Sequence, residues 1–100
     1  MNNTKEECEE DYPAFVLPTG KTITPCERWT LQLYCDGHDA PAIAKIRNGI
    51  SAGTVKIQYK KILEKLNAPH MGRAVVIALH YKAIVIRHVD EKVNPEDVEK

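Results

Sequence analysis

Residues 51–66 read SAGTVKIQYKKILEKL, and this stretch decides how the rest of the chain is interpreted. Its apolar residues recur at spacings of four, three and four, which predicts an amphipathic helix with one buried face. These residues are Val55, Tyr59, Ile62 and Leu66. Ser51 is a favoured N-cap residue, and Asn67 followed by Pro69 favours a helix end after residue 66. The sequence therefore predicts a helix over residues 52–66.

Capping residues mark two more helix starts upstream. Thr24 and Glu27 have the spacing of a capping box, in which each side chain bonds the backbone N–H of the other residue. The helix that follows is expected to end at Gly37, because glycine favours the left-handed C-terminal position. Asp39 is a favoured N-cap for a second, short helix.

The dipeptide Asn48-Gly49 predicts a turn between the second helix and the helix of residues 52–66. A fourth helix is predicted over residues 72–81, whereas the β-branched segment 83–89 fits either a helix extension or a short strand. Four short helices with short connections predict an all-α fold, a four-helix orthogonal bundle with short tails. The second and third helices would form a helix-turn-helix.

Length, composition and charge place the chain among small soluble domains. It has 100 residues, of which 43% are hydrophobic. Residues 42–73 carry seven lysines and arginines against one acidic residue, whereas residues 1–41 carry three against eight. A basic centre between acidic flanks favours a polyanionic partner, although a solvated basic helix face is the alternative.

The lengths of the apolar runs and the character of the N-terminus predict neither a membrane span nor secretion. No apolar run approaches the roughly 20 residues that span a bilayer, and the polar, acidic N-terminus does not read as a secretory signal. We therefore expect a cytoplasmic protein with an acidic N-terminal tail (1–22), a helical domain (23–86) and a charged C-terminal tail (87–100). The apolar piece 14–17 is expected either to pack against the domain or to pair with a partner.

Catalytic and metal-binding patterns are not identifiable in the sequence. Cysteines at positions 8, 26 and 35 are odd in number and lack CxxC spacing, which argues against a disulfide framework or a zinc site. His80 and His88 could share a helix face, but no further ligand completes a set. With no Ser/His/Asp set, phosphate loop or carboxylate pair, the sequence predicts no enzyme, cofactor or metal.

The outward face of residues 51–66 carries side chains that suit the major groove of DNA. Lysine reaches guanine O6 and N7, glutamine pairs with adenine, and an aliphatic side chain contacts the thymine methyl group. A threonine near the helix N-terminus can bond a phosphate. The predicted DNA-binding residues are Thr54, Lys56, Ile57, Gln58, Lys60 and Lys61.

Several short pieces of the chain match one family in order and nearly at its spacing. They are Ile23-Thr24-Pro25-Cys26-Glu27-Arg28, Leu31, Leu33, Gly37, Ile43-Ala44, Ile50-Ser51, Thr54-Val55-Lys56, residues 61–66 and Ala74-Val75. Through them residues 23–84 resemble the LuxR/GerE-type helix-turn-helix domain. The resemblance implies a bacterial transcriptional regulator whose third helix enters the major groove of double-stranded DNA and whose fourth helix mediates homodimerisation.

The resemblance also assigns roles to single positions. Lys56, Ile57 and Lys60 stand where family members contact bases, and Thr54 and Lys61 stand at backbone-contact positions. Gln58 replaces a residue that is commonly histidine. The predicted dimer contacts are Val75, Val76 and Leu79, which Ile84, Val85 and Ile86 would enlarge.

The sequence departs from the family in four respects. One extra residue lengthens the turn at Arg47-Asn48-Gly49, Ala52-Gly53 replaces a polar pair, and Pro69-His70-Met71-Gly72 replaces a better-capped start of the fourth helix. Only 22 residues precede the match, so we expect a stand-alone module without a receiver or ligand-binding domain. The alternative function is a helix-turn-helix-derived interaction module that modulates another regulator, with the N-terminal tail contacting a protein partner.

Overall fold

The computed structural model describes residues 12–87, in which a two-stranded hairpin is followed by four α-helices. The strands are β1 (Phe15–Val16) and β2 (Thr22–Ile23), and the helices are α1 (Pro25–Cys35), α2 (Ala40–Arg47), α3 (Ala52–Leu66) and α4 (Met71–Tyr81). The predicted all-α fold, a four-helix bundle with a helix-turn-helix, is confirmed. The outer parts of the predicted tails, residues 1–11 and 88–100, lie outside the described residues.

The predicted caps begin the first three helices. The Thr24 hydroxyl accepts a hydrogen bond from the Glu27 backbone N–H at 3.2 Å, and the Glu27 carboxylate accepts one from the Thr24 N–H at 3.0 Å. The side chains of Asp39 and Ser51 accept first-turn N–H groups of α2 and α3 in the same way. Each cap satisfies a backbone donor that has no partner inside the helix, and so fixes where the helix begins.

Helix α4 starts one residue earlier than predicted, because a histidine caps it. The Nδ1 atom of His70 accepts a hydrogen bond from the Arg73 backbone N–H at 3.1 Å. Met71, the first residue of α4, is buried in the core. The C-terminus of α3 agrees with the prediction, since Asn67 ends this helix in the left-handed conformation at φ 55°.

The core consists of two apolar clusters, and α3 contributes to both. The first cluster joins α1, α3, α4 and the hairpin around Leu31 and Ile62, which are both fully buried. The second joins α1, α2 and α3 around Ile43 and Val55. Because α3 is packed on its inner side against three helices, its opposite side remains available to solvent.

The hairpin attaches the N-terminal segment to the bundle. Phe15 pairs with Ile23 and Val16 with Thr22 in antiparallel register. Leu17 is buried in the first cluster, and Phe15 packs against that cluster. The apolar piece 14–17 therefore packs against the domain, and the hairpin crosses the boundary predicted between residues 22 and 23.

The described part of the segment predicted as helix or strand, residues 83–87, is neither. Ala83 and Ile84 are buried in the first cluster, so the expectation that Ile84 enlarges a dimer surface is wrong. The Gln32 side chain holds the next residue, since its amide donates to the Val85 carbonyl at 2.7 Å and accepts from the Val85 N–H at 3.1 Å. These side-chain bonds replace the backbone pairing that a strand would have used.

Candidate nucleic-acid interface

The outer side of α3 is exposed along its first ten residues. At about 100° per residue, positions three and four apart share a face. The exposed side chains here are Thr54, Lys56, Ile57, Lys60 and Lys61, and exposed Gly53 directly precedes them. Ile57 is 58% exposed although it is aliphatic. Five of the six residues predicted from the sequence to bind DNA are thus exposed together on this helix.

The three lysines of this face have no acidic partner among the described residues. Within residues 12–87, Lys56, Lys60 and Lys61 form no ion pair. Lys65, one turn further along α3, is different because its Nζ lies 2.7 Å from the Oε1 of buried Glu27. The exposed basic surface of α3 therefore lies in the first ten residues of the helix, directly after the turn that joins α2 to α3.

The N-terminus of α3 adds polar groups to the same end. The Ser51 hydroxyl accepts from the Thr54 backbone N–H at 3.1 Å, and the two hydroxyl oxygens lie 3.1 Å apart. The first turn contains no acidic residue. Its remaining backbone N–H groups and the helix dipole favour a negatively charged group at this end.

Gln58, the sixth predicted residue, faces the protein interior. It is half-buried, and its Oε1 accepts hydrogen bonds from Arg47 Nη1 at 2.5 Å and from Thr30 Oγ1 at 2.7 Å. A bidentate contact to adenine uses both the oxygen and the nitrogen of the amide. In this arrangement the oxygen is engaged, so Gln58 does not present the contact that the sequence predicts for it.

Arg47 is buried, although it is one of the seven basic residues from which the sequence predicts a basic centre. It is 3% exposed, its guanidinium carbon lies 5.5 Å from the centre of the Trp29 ring, and its Nη1 donates to Thr30 Oγ1 at 2.6 Å. Helical spacing was the signal that could have found it. Arg47 follows buried Ile43 by four residues, which places both on the inner face of α2.

Two groups have raised pKa values, Tyr59 on α3 and Cys35 at the end of α1. Burial raises the pKa of Tyr59, and Tyr34 and Asp39 raise it further; its hydroxyl is buried without a partner. Burial also raises the pKa of the Cys35 thiol, with a further contribution from Asp36. Both shifts favour the neutral group, whereas a nucleophilic cysteine needs the thiolate.

The predicted dimer contacts on α4 are unequally exposed. Val75 and Leu79 are half-buried against the first cluster, whereas Val76 is 53% exposed. Val76 lines a groove of about 470 Å³ between α4, the end of α3 and the hairpin turn. Arg73 and His80 lie at the same groove. Val76 is therefore the most exposed of the three side chains.

Residues 12–87 contain no cluster of three or more side chains that could hold a metal ion, and none of their helices is long and apolar enough to cross a membrane. No family model, curated protein or solved structure matches this chain. The resemblance to LuxR/GerE-type domains thus stays a prediction from the sequence pieces given above.

Proposed function

We propose that this protein is a sequence-specific, double-stranded DNA-binding regulator of transcription, of LuxR/GerE type, that acts in the cytoplasm. The observation that supports this most is the outer side of α3, where three lysines surround an exposed isoleucine and form no ion pair with any residue that the structure describes. Such a helix, the second of a helix-turn-helix, has the size and side chains to enter a major groove.

The exposed residues divide into two roles in this proposal. Lys56, Ile57 and Lys60 face the base edges, where lysine recognises guanine and the aliphatic side chain contacts a thymine methyl group. Thr54 and Lys61 contact phosphates, which orient the helix without reading sequence. The free N–H groups at the start of α3 add a further phosphate contact.

A homodimer is part of the proposal, because one short reading helix makes few contacts and binds weakly alone. Two copies related by a twofold axis would read half-sites about one helical turn apart. Val76 on α4 is the preferred contact, and its replacement by aspartate should abolish assembly without disturbing the core. Sedimentation with and without a palindromic duplex tests this. A strictly monomeric complex at micromolar protein contradicts the dimer and leaves DNA binding intact.

The experiment that tests DNA binding directly is selection from a pool of random duplex DNA. We expect a short motif to be enriched, and the selected duplex to bind more tightly than a scrambled one at fixed salt. The affinity for both should fall as salt rises, because each neutralised phosphate releases counterions. If no duplex is retained even at low salt, the proposal is wrong.

The groove beside Val76 favours a second candidate, an interaction module that modulates another regulator. Its apolar lining and the nearby cation of Arg73 suit an apolar protein segment with acidic flanks. The two functions differ in their response to nucleic acid. An interaction module would be retained by a protein partner and not by duplex DNA at low salt.

A further inference from the structure

The helix-turn-helix contains a buried cation, Arg47, that has no acidic partner in the described part of the chain. Within residues 12–87, the hydrogen-bond partners of the Arg47 side chain are the neutral oxygens of Thr30 and Gln58, and its buried Nε has no partner. The ring of Trp29 lies against the guanidinium. These four residues form the Arg47 cluster.

This arrangement is a poor way to stabilise a core. Burying a charge costs solvation free energy, which the ring contact and charge-assisted hydrogen bonds offset only in part. An apolar residue of similar size would fill the same space without that cost, and such replacements are often neutral or stabilising. The contribution of Arg47 should therefore be sought in geometry rather than in stability.

The cluster joins three helices by directional bonds. Thr30 belongs to α1, Arg47 to α2 and Gln58 to α3. In the part of the chain that the structure describes, Arg47–Gln58 is the one side-chain hydrogen bond that joins α2 to α3. Apolar contacts resist separation of two helices but tolerate rotation better than hydrogen bonds do. Because Gln58 directly follows Ile57, a bond at Gln58 fixes the rotation of α3 at the level of its reading residues.

We propose that Arg47, together with Thr30 and Gln58, is a positioning residue that sets the rotation of α3 and thereby which base edges Lys56 and Lys60 reach. This inference rests on the proposed function. In this inference Gln58 contributes to sequence preference indirectly, through the orientation of α3, and not by contacting a base.

The test compares Arg47→Met with Lys45→Met. The two variants lose the same charge from the same helix, but Lys45 is exposed and lies outside the cluster. Residual dipolar couplings of the free protein report the orientation of α3 relative to α1. Titrations against the selected and scrambled duplexes report the affinity ratio, which measures sequence discrimination.

We expect Arg47→Met to rotate α3 and to lower the affinity ratio by about tenfold, the scale of one misplaced base contact, while affinity for scrambled DNA stays nearly unchanged. Lys45→Met should leave the orientation and the ratio unchanged. The double variant Arg47→Met/Gln58→Leu should have the same affinity ratio as Arg47→Met. It should also unfold at a higher urea concentration than Gln58→Leu alone, because only the single Gln58 variant leaves a buried charge short of an acceptor.

An unchanged α3 orientation in both Arg47 variants overturns the inference, and so does an unchanged affinity ratio. If Arg47→Met does not fold, both measurements are made on the double variant Arg47→Met/Gln58→Leu instead. Should the wild-type protein bind no DNA, the proposed function fails, and the dipolar couplings still decide whether the cluster positions α3.

Discussion

The outer side of α3 and the contact of α1 with the segments that flank the bundle, residues 12–13 and 83–87, both contain basic residues, but the partners of these residues differ. On α3, Lys56 and Lys60 are exposed and form no ion pair within residues 12–87. On α1, the Arg28 side chain donates to the carbonyls of Ala83 at 2.5 Å and Pro13 at 2.7 Å. A count of charge along the sequence cannot separate these two uses, whereas hydrogen-bond partners and exposure do.

The contact on α1 holds the segments that enter and leave the bundle. Arg87 pairs with Asp36 and donates to the Tyr12 hydroxyl, and Tyr12 stacks on Trp29 with ring centres 6.2 Å apart. The hydrogen bonds of Asp36 raise the pKa of Arg87, so this arginine stays charged. The α1 contact therefore contributes to stability, and the outer side of α3 remains free for a partner.

The largest effects are expected from the lysines of α3. Lys56→Ala and Lys60→Ala should each weaken binding to a preferred site by roughly 1–3 kcal/mol, because each removes a base contact. Lys61→Ala should weaken binding to all sequences nearly equally. Titrations of selected and scrambled duplexes at fixed salt measure both effects. If Lys56→Ala weakens both duplexes equally, Lys56 contacts phosphate instead of bases.

A loss of comparable size, in the free energy of unfolding and not in DNA affinity, is expected when the contact between α1 and residues 83–87 is weakened. Gln32→Leu leaves the Val85 N–H and carbonyl without their side-chain partner, which should lower the free energy of unfolding by roughly 1–3 kcal/mol. Urea unfolding measures it, with exposed Lys21→Ala as the control. DNA affinity of the folded variant should equal that of the wild type. Lost affinity at full folding would show that the two regions are coupled.

Tyr59 should give a smaller change of the opposite sign. Its hydroxyl is buried without a partner, so Tyr59→Phe should leave the free energy of unfolding unchanged or raise it by up to about 1 kcal/mol. The raised pKa means that the folded state keeps the proton longer than the unfolded chain, so wild-type stability should fall above about pH 10. Tyr59→Phe should fall less steeply in urea titrations over that range. Tyr81→Phe on α4 is the control, and equal curves for wild type and Tyr59→Phe would contradict this account.

The smallest effect is expected from the acidic N-terminus, which we predict to compete weakly with phosphate for the α3 lysines. Replacing Glu6, Glu7, Glu9 and Glu10 by glutamine keeps the length of the chain and removes four negative charges. Affinity for scrambled DNA should rise a few-fold at low salt and converge with the wild type as the Debye length falls to about 8 Å. Coincident curves at every salt concentration would favour a protein partner for this segment.

What the sequence predicted correctly depends on local signals. The caps at Thr24 and Ser51 involve partners three residues away, and the apolar spacing of α3 repeats within one helix. These signals are sufficient for the helix starts and for the exposed position of Lys56, Lys60 and their neighbours. The predicted fold followed from them together with the short connections.

What the sequence missed depends on partners that are distant along the chain. Arg47 is buried because Thr30, 17 residues before it, and Gln58, 11 residues after it, meet it between three helices. Residues 83–87 lack regular structure because Gln32, on α1, satisfies the Val85 backbone. Neither of these contacts can be inferred from local spacing. The contact between Arg47 and Gln58 also explains why Gln58 does not present its amide oxygen and nitrogen to a base.

The comparison of the two regions is tested most directly by two variants with equal charge. Lys56→Ala/Lys60→Ala/Lys61→Ala removes three charges from α3, and Lys21→Ala/Lys45→Met/Lys82→Asn removes three exposed charges from the rest of the domain. Their affinities for the selected duplex should be measured across a salt series. We predict that the α3 variant loses nearly all specific binding and that its salt dependence becomes shallower, whereas the control retains both. Equal affinities of the wild type and the α3 variant would contradict the claim that this helix binds DNA.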